Sequence, residues 1–343
     1  MRVRPDVPLA GLTTLRLGGA ARRLVEAATA DEVAAAVTAA DRSAEPVLVV
    51  GGGSNLVVAD TGFPGTVVLI RTRGVAARPD KERLRLVVQA GEDWDAVVAR
   101  AVAEGWAGIE ALSGIPGRTG ATPIQNVGAY GQEVSETIRR VRVLDRSTGK
   151  VNDLAPAQCR FAYRHSVFKQ NARHVVLEVE FALARSNLSA PVRYAELALT
   201  LGVDVGAQAP VEAVREAVLS LRRGKGMVID PGDPDSISAG SFFTNPVLTS
   251  MVAAALPTDA PRWPQDDGRV KTSAAWLIER AGFSKGYGNG RARISSKHTL
   301  ALTNRGGATT TDLLRLAREV RDGVRAKFGV ELVPEPVLVG VAL

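Results

Sequence analysis

Three residues in this sequence stand where folding alone explains them poorly. Arg164 lies within Phe161-Ala162-Tyr163-Arg164-His165-Ser166-Val167-Phe168-Lys169, among aromatic and apolar neighbours. A guanidinium is costly to desolvate there unless it meets an anion; a structural carboxylate is the competing partner. Ser241 follows Ala239-Gly240 and precedes Phe242-Phe243, so a small hydroxyl stands beside an apolar wall. A helix N-cap would use the same residue type. Glu335 sits between Pro334 and Pro336, which exclude helix and most ladder hydrogen bonding and display the carboxylate on an extended backbone. The plainer reading is an edge-strand charge. A cation, a hydroxyl and a carboxylate are the groups that would stabilise and protonate a developing enolate, although spacing alone does not bring these three together.

Two glycine-rich stretches offer a place for a cofactor. The first is Gly51-Gly52-Gly53-Ser54-Asn55-Leu56, entered directly from the apolar run Pro46-Val47-Leu48-Val49-Val50. A strand ending in glycines exposes N–H groups on which phosphate oxygens can dock. It is neither a dinucleotide fingerprint nor a Walker A loop. Leu56 replaces the third glycine, Val57 and Val58 read as strand, and no Gly-Lys-Ser/Thr follows. The second stretch is residues 114–133, Gly-Ile-Pro-Gly-Arg-Thr-Gly-Ala-Thr-Pro-Ile-Gln-Asn-Val-Gly-Ala-Tyr-Gly-Gln-Glu. Its glycines and prolines exclude a helix interior or a central strand, and it lacks the composition of a disordered linker. Small residues let backbone approach a flat or charged ligand, while Ile124, Val127 and Tyr130 can pack the loop down. A glycine-rich surface turn is the bland alternative.

The elements around these stretches follow from periodicity. Helices are expected over 30–40, 93–104, 210–223, 273–281 and 311–328, each with an apolar stripe or a capping residue at its start. Strands are expected over 22–27, 46–50, 67–71, 83–90, 137–145, 150–154, 175–184 and 299–304. Ser147-Thr148-Gly149 makes a hairpin of 137–145 and 150–154. Residues 2–10 read as an irregular arm and 330–340 as an interrupted strand. A boundary falls at Gly224-Lys225-Gly226, ahead of the Pro/Asp-rich run 230–235.

Composition narrows the class. The chain has 343 residues, enough for two or three domains. With 45% hydrophobic and 23% charged residues, it is balanced as a water-soluble globular protein. One cysteine, Cys159, excludes an intramolecular disulfide and a cysteine zinc site, and suits a reducing cytoplasm. His165, His174 and His298 are not at ligand spacing, so no metal is expected. There is no Gly-x-Ser-x-Gly elbow, no signal-peptide core and no membrane-length apolar run. The net charge of +7 raises nucleic-acid binding, but the arginines are scattered and aromatics are 5%, which suits anionic small molecules better.

Taken together the motifs resemble the UDP-N-acetylenolpyruvoylglucosamine reductase family over nearly the whole chain. The resemblance rests on Gly51-Gly52-Gly53-Ser54-Asn55, on Ile115-Pro116-Gly117, Gly120-Ala121, Pro123, Gln125-Asn126 and Gly128-Ala129-Tyr130-Gly131-Gln132-Glu133, and on Tyr163-Arg164 with Ser166 and Phe168. Gly240-Ser241-Phe242-Phe243, Asn245-Pro246 and Pro334-Glu335 extend it. It implies an α+β protein: an FAD-binding fold of the vanillyl-alcohol oxidase/PCMH type, made of two α/β subdomains, plus a C-terminal α/β substrate domain. The implied divisions are 1–72 joined by the closing strand 331–343, then 73–224, then 225–330. The implied reaction reduces UDP-N-acetylglucosamine enolpyruvate to UDP-N-acetylmuramate for peptidoglycan synthesis. NADPH reduces a non-covalent FAD, which passes hydride from N5 to C3 of the substrate while C2 is protonated.

The resemblance also implies roles. Gly51, Gly52, Gly53, Ser54 and Asn55 would hold the FAD diphosphate. Gly117, Gly120, Ala121, Gln125, Asn126 and Gly128 would line the flavin. Ser241 would be the proton donor, with Arg164 and Glu335 on the substrate carboxylate and enolate. Tyr163, Tyr194, Lys225 and Asn245 would bind the substrate. Residues 190–201 look like the inserted segment with a substrate-closing tyrosine that marks one type of the family, type I. The expected protein is a cytoplasmic monomer with no nucleic-acid or membrane partner. The competing identity is another FAD-linked oxidase or dehydrogenase of a small hydroxylated substrate on the same fold. It would share the glycine loops without requiring Ser241 and Glu335 together.

Overall fold

In the computed structural model, residues 1–288 and 290–343 are described. The chain divides into two compact units. One comprises Met1–Val7, Ala21–Gly53 and Phe63–Arg223; the other comprises Pro8–Ala20, Ser54–Gly62 and Gly224–Leu343. The last crossing between them falls between Arg223 and Gly224, and two short N-terminal segments belong with the C-terminal half.

Besides the two-stranded ribbon of Gly128–Ala129 and Gln132–Glu133, the first unit holds a four-stranded and a six-stranded sheet. In the smaller, the strands run in the order Arg2–Pro8, Ala20–Ala27, Phe63–Ile70, Val47–Val50. Ala20–Ala27 and Val47–Val50 both lie parallel to Phe63–Ile70. The helix Ala30–Arg42 connects the first of these to the second, started by the Thr29 hydroxyl accepting from the Glu32 amide. Its buried stripe of Val33, Ala36, Val37 and Ala40 faces Val25, Val68 and Ile70. The larger sheet is centred on His174–Arg185, paired antiparallel to Ile138–Asp145 and to Arg83–Gln89. Ile138–Asp145 and Lys150–Leu154 form the expected hairpin, with Asp145 opposite Lys150. The helix Trp94–Ala103, capped by Asp93, buries Trp94, Val97, Val98, Ala101 and Val102. It leads toward the long glycine loop.

Residues 2–10, expected to be irregular, instead contain the strand Arg2–Pro8. Most of its side chains are exposed, so no apolar alternation marks it. It is an edge strand held by its ladder and by the Arg4–Glu26 ion pair at 2.6 Å, and an edge tolerates Pro5 and Pro8.

The second unit has the antiparallel sheet Ser238–Ser241, Ala301–Asn304, Ala292–Ile294. The helices Ala274–Arg280 and Thr310–Phe328 bury Leu277, Ile278, Leu313, Leu316, Val320 and Val324 in one core with Phe242 and Phe243. The long helix has a double start. Thr309 and Asp312 form a capping box, and Asp60 accepts from the amides of Thr310 (2.7 Å) and Thr311 (3.0 Å). The interrupted closing strand reduces to Val337–Val339, which runs parallel to Leu56–Val58. Pro334 and Pro336 cannot donate to a ladder, and the regular pairing with Leu56–Val58 starts at Val337. Among the described residues, no helix is long and apolar enough to cross a membrane.

Candidate active site

The two glycine stretches, far apart in sequence, meet within the first unit. A Cβ on Gly52 would lie 2.7 Å from the Gly117 Cα, and one on Gly51 would lie 3.2 Å from the Arg118 Cβ. Backbone therefore touches backbone at Gly52, which only glycine permits. The amides of Gly52 and Gly53 donate to no protein group among the described residues. Gly53 takes φ +63° and Gly117 φ +134°, conformations that glycine adopts without strain. A close cradle with unengaged N–H donors fits a dinucleotide diphosphate. The unit boundary runs through the motif, between Gly53 and Ser54.

Other loop residues shape the cradle. The Gly120 amide donates to the Ala90 carbonyl (2.9 Å), and a Cβ there would lie 2.5 Å from the Ala90 Cβ. Ala121 is exposed, with its amide on the Arg118 carbonyl, and Gln125 is half-buried. Asn126 is buried at φ +45°. Its Nδ2 donates to Glu133 (2.6 Å) and to the Ala162 carbonyl (3.2 Å), while its Oδ1 accepts from the Ser135 amide (3.1 Å). This side chain ties the glycine loop to the stretch containing Arg164.

That stretch is bound to the loop throughout. Arg164 donates to the Gly128 carbonyl at 2.6 Å and stacks on Tyr163, 5.1 Å from the ring centroid. Ser166 donates to the Ile124 carbonyl at 2.6 Å. Arg164 itself is in the left-handed region (φ +50°), its carbonyl accepting from Lys169 at 3.0 Å. A Cβ on Gly128 would come within 3.1 Å of the guanidinium, so a small residue there gives Arg164 its place.

Tyr194 caps the turn into the helix Ala195–Leu201 and meets Tyr130 edge-on, ring centroids 5.5 Å apart. Burial pushes the Tyr130 hydroxyl up to about 12, and raises that of Tyr194. Beneath them lies Arg222, which sequence reasoning missed. Burial pulls its guanidinium down to about 10, opposed by attraction to Tyr130 and Asp95. A signal existed: Arg222 continues the buried stripe Val211, Val214, Val218 of the helix Val211–Gly224. Asp95, bridged to Arg215 at 2.7 Å, accepts from the Gly114 amide at 2.6 Å and fixes where the loop begins.

In the second unit Ser241 ends its strand opposite Ala301, after Gly240 at φ +72°. The Glu335 amide donates to the Phe242 carbonyl at 2.9 Å, and Phe243 bridges to Pro334. Glu335 is thus bonded through its backbone to the residue that follows Ser241. Asn55 joins them, its carbonyl accepting from the Val337 amide (2.9 Å) and its Nδ2 donating weakly to the Glu335 carbonyl (3.4 Å). The N-cap alternative for Ser241 fails, since it closes a strand. Asn245 Oδ1 accepts from the Ala274 amide at 2.9 Å. Lys225 is half-buried, just before Gly226, where a Cβ would lie 2.8 Å from the Asp235 Cβ. Arg164 belongs to the first unit, Ser241 and Glu335 to the second.

The first unit's cradle has the chemistry of a flavin-dinucleotide protein, and residues 21–155 match the profile of an FAD binding domain. Residues 233–339 match that of the C-terminal domain of UDP-N-acetylenolpyruvoylglucosamine reductase. Reductases of that name from Thermobifida fusca and Streptomyces coelicolor are each 59% identical to this chain over 98% of its length, covering 98% and 90% of their own. The chain belongs to the UDP-N-acetylenolpyruvoylglucosamine reductase family. Its fold also resembles the crystal structure of the enzyme from Thermus caldophilus, with a TM-score of 0.67 and 26% identity over 99% of both chains. The architecture is an α/β FAD-binding region followed by a C-terminal domain.

Proposed function

We propose that this flavoenzyme reduces UDP-N-acetylglucosamine enolpyruvate to UDP-N-acetylmuramate at the expense of NADPH, supplying a peptidoglycan precursor. The observation that carries the reading is the backbone hydrogen bond that joins Glu335 to the residue after Ser241, in a chain that matches a reductase over 98% of its length. A general FAD oxidase would need the glycine cradle but not that pair.

FAD, when bound, supplies the hydride for the vinyl C3. The amides of Gly51, Gly52 and Gly53 would hold its diphosphate, with Ser54 and Asn55 completing the motif, and the loop bearing Gly117, Gly120, Ala121, Gln125, Asn126 and Gly128 would line the ring. Arg164 presents its charge to the substrate carboxylate, anchored by the Gly128 carbonyl and Tyr163. It stabilises negative charge that grows as C2 becomes enolate-like. Glu335 acts on the same group. Ser241 Oγ–H gives its proton to C2; a weak acid suffices because the acceptor is carbanion-like. Tyr163, Tyr194, Lys225 and Asn245 bind the nucleotide and sugar. Tyr194, on the half-exposed segment beside Tyr130, supports the type with a substrate-closing insert.

Stopped-flow absorbance at the flavin band separates the two halves of the reaction. Ser241→Ala is expected to accept electrons from NADPH at the parent rate. Reoxidation by the enolpyruvyl nucleotide should slow by roughly 10²–10⁴-fold, the usual worth of a positioned acid. If both halves survive intact, Ser241 is not the acid. If the parent protein stays reduced when mixed with this substrate, the functional reading itself is wrong.

A further inference from the structure

Glu110 is a carboxylate with 1% of its surface exposed, and no ion pair accompanies it among the described residues. Its neighbours are all N–H donors. Oε2 accepts from the Gly108 amide at 2.6 Å; Oε1 accepts from the Ala190 amide at 3.1 Å and from Gln132 Nε2 at 3.3 Å. The orientation of Gln132 is fixed in turn, because its Oε1 accepts from the Ala111 amide at 2.9 Å. Flipping that amide would set NH₂ against N–H on one side and oxygen against carboxylate on the other.

Two functional segments meet at this carboxylate. Gln132 belongs to the strand Gln132–Glu133, which pairs with Gly128–Ala129, and the Gly128 carbonyl holds Arg164. Ala190 opens the segment that carries Tyr194. The same segments touch at Tyr130–Tyr194 and through the Arg193–Glu136 ion pair at 3.2 Å, but those contacts are exposed or half-exposed. Glu110 is a buried side chain whose hydrogen bonds reach both, beside the apolar core in which Val192 and Leu197 meet Ala111 and Tyr130. A buried charge is held so only where its donors repay the desolvation.

We infer that Glu110 is a positioning residue that sets the glycine hairpin and the Tyr194 segment in register with each other. The inference rests on the proposed function for its consequence, but its physical core stands apart from it. Removing Gln132 cuts this tie to the hairpin alone; removing the Ala190 N–H cuts it to the Tyr194 segment alone; removing Glu110 cuts both.

The experiment compares Glu110→Ala, Glu110→Gln, Gln132→Leu and Ala190→Pro with the parent by amide hydrogen exchange, FAD affinity of the reconstituted apoprotein, and KM for the enolpyruvyl nucleotide. Glu110→Ala should speed exchange in both 128–133 and 190–194 by roughly tenfold, as expected for donors left without acceptors, and should weaken FAD binding and raise KM together. Gln132→Leu should move only the hairpin exchange and FAD affinity. Ala190→Pro should move only exchange near 190–194 and KM. Glu110→Gln, whose carbonyl can still serve Gln132 and Ala190, should recover most of both. The inference is overturned if Glu110→Ala leaves both segments unchanged, or if Gln132→Leu and Ala190→Pro give the same pattern. Should Glu110→Ala fail to fold, the latter pair decides alone. A parent that binds no FAD would refute the functional reading, while the exchange patterns would still judge the inference.

Discussion

Replacing Gly52 by alanine tests the closest contact in the cradle. The new methyl would lie 2.7 Å from the Gly117 Cα and 3.1 Å from its carbonyl carbon. Carbon atoms in contact prefer about 3.5–4.0 Å, so the loops must part by roughly 1 Å. Neither atom is a side chain that can swing away. The Gly117 carbonyl also accepts from the Trp94 amide at 3.2 Å, at the start of a helix whose Trp94 is fully buried. Overpacking of this kind costs about 1–3 kcal/mol. If about 2 kcal/mol remains as strain in the apoprotein, Tm falls by roughly 4–8 °C for a unit of this size. If the loops part and relieve it, the cradle is misshapen and Kd for FAD rises about 30-fold. Thermal melts of the apoprotein and flavin fluorescence titration measure the two shares. Gly51→Ala is the control: its methyl would meet only the Arg118 Cβ and Cγ, at 3.2 and 3.3 Å, and a side chain can yield. A Gly52→Ala protein with parental Tm and parental FAD affinity would refute the claim that backbone contact at Gly52 builds the cradle.

Three further outcomes are expected. The Arg173 guanidinium and the Ser147 hydroxyl hold the Asp145 carboxyl well below the usual carboxylate range. A depressed carboxylate stabilises the fold above its ordinary pKa of about 4 and loses that contribution as pH falls toward its folded value. Arg173→Met should therefore be less stable than the parent at pH 7, and urea melts should show the gap closing between about pH 5 and 2; a gap constant with pH would contradict this. Burial pushes the Cys159 thiol up to about 11. The native protein should resist a thiol reagent at pH 8 and react once unfolded, whereas stoichiometric labelling of native protein would count against a buried thiol. Asp60→Ala removes the acceptor of two helix-start amides, and should destabilise the second unit by about 1–2 kcal/mol in chemical denaturation; no change would mean that the Thr309–Asp312 box suffices.

Much of the candidate site was legible because its residues are locally unusual. Glu335 between two prolines and Ser241 before two phenylalanines were noticeable without partners, and the glycine spacing announced a close approach by something. Helix stripes, caps and the 137–154 hairpin were equally legible, since 3.6- and 2-residue periods and turn glycines are properties of a few neighbouring residues. The edge strand Arg2–Pro8 was not, because backbone pairing without side-chain burial leaves no apolar pattern.

The sequence by itself determined which residues could do chemistry and where the long helices and the apolar strands lie. Tertiary structure decided which of them meet. That the first glycine stretch rests on the second, that Glu335 pairs with the residue after Ser241, and that Ser54–Gly62 joins the C-terminal unit all depend on sheet register and chain crossing. It also decided that Glu110 and Arg222 are buried. In one dimension Glu110 reads as an ordinary surface charge and Arg222 is marked only by its place on a helix's apolar stripe, because burial is set by what the rest of the chain packs against a residue.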